Sequence, residues 1–283
     1  VLDADLSGST KTSVFAKKFP ERFFNVGIAE QNLMGTAAGF ATCGKIPFAS
    51  TFAVFATGRA FEQVRNSICY PKLNVKIAAT HAGLTVGEDG ATHQSVEDLS
   101  LMRALPNMTV ISPADAVETK KAVRAAAFHQ GPVYIRLGRM AVETIFDEDY
   151  EFEIGKGKVL REGSDVAIIA TGIMVAEALR AAEILEKEGI NAMVVNIHTL
   201  KPIDEDIILK AADCGAIVTA EEHTVIGGLG SAVAEVLAEK KPTPMRRIGI
   251  KDRFGLSGKP NELLKLYNLT AEDIADAARE VKR

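Results

Sequence analysis

Phe24–Gly44 reads FNVGIAEQNLMGTAAGFATCG. A short apolar run ends at Gly27. Leu33, Met34, Ala37, Ala38, Phe40 and Ala41 then recur at helical spacing as far as Gly44, a residue suited to closing a helix. One carboxylate, Glu30, stands at the head of an otherwise almost uncharged helix. Two readings compete. Glu30 complements the helix dipole, worth about 0.3–1 kcal/mol at an exposed end, or a carboxyl on a buried, small-residue helix is held for proton chemistry.

The same strand-then-helix order repeats outward from this stretch. Strands are expected at Val1–Asp3, Phe23–Val26, Ile46–Ser50, Val75–Thr80, Met108–Ile111 and Val133–Leu137. A polar loop, Ala4–Thr10, leads to a helix ending at Phe19, and further helices are expected at Phe55–Cys69, Leu99–Leu105 and Asp115–Gln130. An acidic run, Asp147–Glu153 (DEDYEFE), followed by Gly155, Gly157 and Gly163, breaks the alternation and sets a boundary between domains 1–150 and 151–283. Strands Val166–Ala170, Met193–Ile197, Ile217–Ala220 and Arg247–Ile250 then alternate with helices Met174–Lys187, Asp204–Ala212, Gly230–Glu239 and Ala271–Lys282. The expected fold is two successive three-layer α/β domains with mainly parallel sheets.

The totals exclude several function classes. At 283 residues the chain is long enough for two cores. A net charge of −4 argues against a nucleic-acid or anionic-membrane partner, and the longest apolar stretch, Val166–Ala176, is too short to span a bilayer. Cys43, Cys69 and Cys214 are odd in number and far apart, so no disulfide frame or zinc knuckle is expected, and a reduced, cytoplasmic setting is. The chain opens at Val1, without a methionine and inside an expected strand, so residues upstream are expected.

Chemistry concentrates at the ends of the expected strands, where open α/β sheets bind ligands. Thr80–Gln94 (THAGLTVGEDGATHQ) follows a buried strand and carries two histidines, two acids and three glycines. Neither histidine has a partner at metal-binding spacing. The two rings either serve as hydrogen-bonded structural groups, or His81, Asp89 and His93 face a polar substrate. Phe52 and Phe55, in STFAVF, are core packing or a stacking surface for a flat heterocycle. Ser9, in SGST, is part of a helix cap or offers a hydroxyl to phosphate. Arg139, in IRLGR, is a surface cation or a phosphate clamp. Gly227-Gly228-Leu229-Gly230 departs from the dinucleotide fingerprint at Val233 and carries little weight.

GIAEQN, ASTFAVF, THAGLTVGEDGATHQ and IRLGR, in this order and at these separations, resemble the thiamine-diphosphate enzymes of the transketolase family over the whole chain. The resemblance implies a pyrimidine-binding domain followed by the family's C-terminal domain, the C-terminal section of a transketolase encoded as a separate subunit. It implies a cofactor, thiamine diphosphate, whose aminopyrimidine is hydrogen-bonded by Glu30 and enclosed by Phe52 and Phe55, with Asp5 on the cofactor-facing loop. It further implies that His81 and His93 handle substrate hydroxyl protons, that Asp89 recognises a sugar hydroxyl, and that Ser9 and Arg139 bind the phosphate of a sugar-phosphate substrate.

Two departures from the family pattern matter. Gly58 stands where a third aromatic would close the aminopyrimidine pocket. No G-D-G with a distant Asn is present, so Mg²⁺ and the diphosphate are expected on a partner, the N-terminal transketolase subunit, with no metal ligands here. Sites shared across subunits also imply self-association. The implied reaction is transfer of a two-carbon ketol unit, for example from xylulose 5-phosphate, in the non-oxidative pentose phosphate pathway. 1-Deoxyxylulose-5-phosphate synthase is similar but has arginine in place of His81 and usually alanine in place of Glu88. The beta subunit of a 2-oxo-acid dehydrogenase fits GEDGATHQ poorly. A non-catalytic nucleotide-binding regulatory protein would explain the fold but not Glu30, His81 and His93 together.

Overall fold

The structure, a computed structural model, describes residues 1–282. The strands are β1 (Leu2–Asp3), β2 (Phe24–Asn25), β3 (Phe48–Ser50), β4 (Lys76–Ala79), β5 (Thr109–Ile111), β6 (Val133–Arg136), β7 (Lys158–Arg161), β8 (Val166–Ala170), β9 (Ala192–Asn196), β10 (Thr199–Lys201), β11 (Ile217–Thr224) and β12 (Met245–Ile250). Among the described residues they form two sheets, in the orders β10-β5-β6-β4-β3-β1-β2 and β12-β11-β8-β9-β7. All pairings are parallel except β10 with β5 and β7 with β9, both at sheet edges. The expected α/β fold with mainly parallel sheets is therefore present. Buried strands such as β8 (VAIIA) and β9 (AMVVN) are covered on both faces, which explains their continuous apolar runs.

Several elements escaped the sequence reading. β7 (KVLR) is partly exposed at an edge, and the helix Pro260–Leu266 lies inside a stretch without clear periodicity. β10 is the more consequential. Directly after β9 the chain leaves the second sheet and adds Thr199 opposite Ile111 and Lys201 opposite Val110 in the first. The Lys201 ammonium donates to the carbonyls of Arg103 (2.9 Å) and Leu105 (2.5 Å), fastening the crossing. A three-residue strand reading TLK has no apolar run to announce it.

The helix Glu30–Thr42 buries Leu33, Met34, Ala37 and Ala38, and its small residues let it lie close to the sheet. One apolar cluster runs from Leu2, Leu33 and Ile68 through Tyr134 to Ile169, Val195 and Leu237, so the two halves share a core. The expected helix after Phe52 forms, but with two π-helical segments, Phe55–Arg59 and Val64–Cys69. Ser7–Thr10, read as loop, is a short helical turn. No described helix is long and apolar enough to cross a membrane.

Candidate active site

The residues singled out above all follow carboxyl ends of strands in the first sheet: Asp5 and Ser9 after β1, Glu30 after β2, Phe52 and Phe55 after β3, His81 and His93 after β4, Arg139 after β6. β1 lies between β2 and β3, so the chain's path reverses there, and the crevice of an open α/β sheet opens at such a reversal.

Glu30 is the first residue of its helix and only 3% exposed. Its carboxylate does not cap the helix; it accepts a hydrogen bond from the Arg59 guanidinium at 3.0 Å. Of the two readings of Glu30, simple dipole compensation at an exposed end therefore fails on burial. The Arg59 guanidinium also lies 4.5 Å over the Phe55 ring. Phe55 stacks on Phe52 (5.9 Å between centroids), Phe52 on His81 (3.9 Å), and the His93 ring meets Phe55 edge-on at 5.5 Å. A buried acid thus stands at one end of a flat, aromatic-faced wall, with two imidazoles at the other.

His81 connects this wall to a cleft of about 930 Å³ that Ser9, Lys11, Lys120, Arg136 and Arg139 also line. Its ring nitrogen Nδ1 shares a hydrogen bond with the Thr80 hydroxyl at 3.0 Å, and its backbone takes a positive φ of 58°. Burial, then the Arg139 guanidinium, pushes the His81 pKa down to about 4, so the ring is neutral near pH 7. Arg139 is held by Asp89 (3.6 Å) and Glu88 (3.9 Å) and donates to the Val86 carbonyl. Ser9 is exposed on the cleft wall. Asp5 is not among the cleft-lining residues; its carboxylate accepts from the Asn25 side-chain amide at 2.9 Å, and the Asn25 Oδ1 accepts from the Asp5 N–H at 3.0 Å.

The loop that carries the histidines is gripped by the second half of the chain. Glu222, on β11, accepts from the Thr85 N–H at 2.6 Å, and Gln94 donates to the carbonyls of Leu84, Gly87 and Leu256. Leu84–Asp89 forms two short 3₁₀ turns kinked at Gly87 and packed on the helix Pro260–Leu266. Two other signals resolve differently. The N–H groups of Leu229 and Gly230 are taken by the buried Glu221 carboxylate (2.7 and 2.8 Å), so that glycine-rich helix start is filled by the protein itself. Among the described residues, no group of three or more His, Cys, Asp or Glu side chains is placed to hold a metal ion.

Residues 1–144 match the transketolase pyrimidine binding domain and residues 155–274 the transketolase C-terminal domain. The chain belongs to the transketolase family. It is 59% identical over 283 residues to a Methanocaldococcus jannaschii protein described as a transketolase C-terminal section, covering 99% of this chain and 89% of that one. It is 49% identical over 281 residues to the 6-deoxy-6-sulfo-D-fructose transketolase subunit of Clostridium sp. (strain MSTE9), with 99% and 87% covered. Among solved structures, a split gene transketolase, an inactive beta4 tetramer, superposes with a TM-score of 0.93 at 62% identity, covering 100% of this chain and 92% of that one. The family is one of thiamine-diphosphate enzymes that transfer ketol groups.

Sequence reasoning missed Arg59 and Lys11. Arg59 could have been suspected only as a cation four residues beyond Phe55. Lys11 carried no signal, because its position in the cleft depends on the turn between two short helices.

Proposed function

We propose that this chain is the C-terminal subunit of a two-chain transketolase and completes its active site with an N-terminal partner subunit. Residues 1–150 form the pyrimidine-binding domain and 151–283 the C-terminal domain. The observation that carries the reading is Glu30: an acid 3% exposed on an uncharged helix, beside the stacked rings of Phe52 and Phe55. That combination fits an aminopyrimidine, which needs an acid for a ring nitrogen and apolar faces for the ring. Glu30, Phe52 and Phe55 would hold that end of thiamine diphosphate, and Asp5 belongs to the same rim. The cofactor supplies the carbanion chemistry that side chains lack. The diphosphate's Mg²⁺ is assigned to the partner chain, because the sequence has no G-D-G with a distant Asn to hold it.

Toward the substrate, neutral His81 and its neighbour His93 accept and return protons at the sugar's hydroxyl and carbonyl oxygens. Asp89 holds a hydroxyl, and Ser9 and Arg139 hold the distal phosphate at the cationic cleft. The substrates are a ketose phosphate such as xylulose 5-phosphate and an aldose phosphate, as in the non-oxidative pentose phosphate pathway, in the cytoplasm. The relative that carries a sulfonated ketose name favours a second reading, with a sulfonate in the same cationic cleft. The self-association named for the structural neighbour supports an assembly of several copies.

The test mixes this chain with its N-terminal partner, thiamine diphosphate and Mg²⁺. Xylulose 5-phosphate and ribose 5-phosphate should yield sedoheptulose 7-phosphate. Faster turnover of 6-deoxy-6-sulfofructose would select the second reading, and reaction of pyruvate with glyceraldehyde 3-phosphate would replace both. Glu30→Gln, which keeps the side chain's shape, should lower kcat at least about 100-fold.

A further inference from the structure

Resting on that functional reading, we propose that Arg59 is a placeholder for the cofactor's aminopyrimidine ring: it occupies both the acid and the aromatic face the ring must use, and cofactor binding expels it. The geometry makes the two occupancies exclusive. Arg59 donates to Glu30 at 3.0 Å while its guanidinium lies 4.5 Å over the Phe55 ring. A guanidinium is flat, cationic and rich in N–H donors, so it imitates the edge and face of a small heterocycle.

The backbone builds this placement. Within the π-helical segment Phe55–Arg59, the Ala60 N–H reaches back five residues to the Phe55 carbonyl at 3.2 Å. Such local widening re-aims side chains and is common at functional sites. It carries Arg59 back across Phe55 toward Glu30. Departure is also provided for. Arg59 is 51% exposed while Glu30 is 3% exposed, so the arginine can return to water and leave the acid in place. Gly58 beside it leaves open space, since a Cβ there would meet nothing within 4 Å. Where the family pattern puts a third aromatic, this chain thus has room for a swinging arginine.

The arrangement has two consequences. Before cofactor arrives, Arg59 supplies the counter-charge that a nearly buried carboxylate needs. When it arrives, breaking the pair reduces apparent affinity by the fraction of molecules in the open state. Isothermal titration calorimetry of thiamine diphosphate with Mg²⁺ into the complex of this chain and its N-terminal partner measures that reduction. Arg59→Ala and Arg59→Gln should bind about 2- to 5-fold more tightly than wild type, the scale of one partly exposed ion pair. Arg59→Lys, which keeps the charge without the flat face, should fall between. Thermal unfolding of the isolated Arg59→Ala chain should show a Tm lowered by about 2 °C or more, because Glu30 loses its cation. Unchanged or weaker cofactor affinity in the Ala and Gln variants would overturn the proposal, and so would an unchanged Tm. A wild-type complex that binds no thiamine diphosphate at all would instead sink the functional reading beneath it.

Discussion

His81 is buried with its ring stacked at 3.9 Å on Phe52 and lies near the Arg139 guanidinium, and burial first, then that cation, opposes a second proton. Its pKa is pushed down to about 4, first by burial and then by Arg139. The sign follows directly. Above about pH 5 the ring is neutral and able to accept a proton, and lowering the pH through 6.5, where a free imidazole titrates, leaves it neutral. Because the unfolded chain takes up a proton at that higher pH, His81 contributes stability that is lost as pH falls from about 6.5 toward 4. A ¹⁵N-resolved NMR titration should place the His81 midpoint near 4 and move it upward in Arg139→Ala. A midpoint near 6.5 would show the ring to be solvated. Lys11, also lining the cleft, lowers the His81 pKa as well, so removing that cation should push the midpoint in the same direction.

The Thr80–Gln94 loop shows how far local sequence pattern reaches and where it stops. Its glycines, acids and histidines at a strand's carboxyl end marked it as functional, and the structure places His81, His93 and Asp89 close to Phe52, Phe55 and Arg139. What holds it could not be read from local pattern, because the anchors lie far along the chain. Glu222, 137 residues after Thr85, is one, and Leu256, 162 after Gln94, is another. Gly83 takes φ +85° and ψ −175°, a region closed to side chains, and a Cβ there would clash with the Glu222 carboxyl. Gly83→Ala should therefore destabilise the chain by about 2–4 kcal/mol in urea unfolding. Gly39→Ala, at an exposed helical site with open space around it, should instead stabilise it by about 0.5–1 kcal/mol. Equal effects of the two changes would mean that Glu222 does not fix the loop. The Glu30 helix was legible because its periodicity is local. The π-helical segment beyond Phe55 was not, since one extra residue per turn leaves the apolar pattern almost unchanged over so short a length.

Across the whole molecule, the two sheets are joined by a buried polar network as well as by apolar packing. Arg136, at the end of β6, donates to Asp98 (2.9 Å) and to the Glu222 carbonyl on β11 (2.9 Å), and the Tyr134 hydroxyl donates to Asp98 at 2.6 Å. His223 accepts the Leu99 N–H at Nε2 (3.1 Å), so its Nδ1–H donates to the Thr224 carbonyl at 2.7 Å. Burial pushes the His223 pKa down to about 4, in keeping with that neutral tautomer. Asp98 is fully buried, so Asp98→Asn removes the ion-pair partner of the buried Arg136 and should cost about 3–5 kcal/mol by denaturant unfolding. The double change Asp98→Leu with Arg136→Met should recover part of that loss. Additive losses would show that the two charges act separately. The second half of the chain, through Glu222 on β11 and Leu256 in the segment after β12, thus holds the loop that carries His81 and His93.

On the function proposed above, this chain carries half of a transketolase site, beginning at Glu30 and lacking the metal and diphosphate cradle. The most direct measurement is ketol transfer from xylulose 5-phosphate to ribose 5-phosphate, with thiamine diphosphate and Mg²⁺, by a homogeneous preparation of this chain with and without its N-terminal partner. Sedoheptulose 7-phosphate is predicted only when both chains are present, and not when Glu30→Gln replaces the wild type. Turnover by this chain alone, or undiminished turnover by the Glu30→Gln complex, would contradict the account.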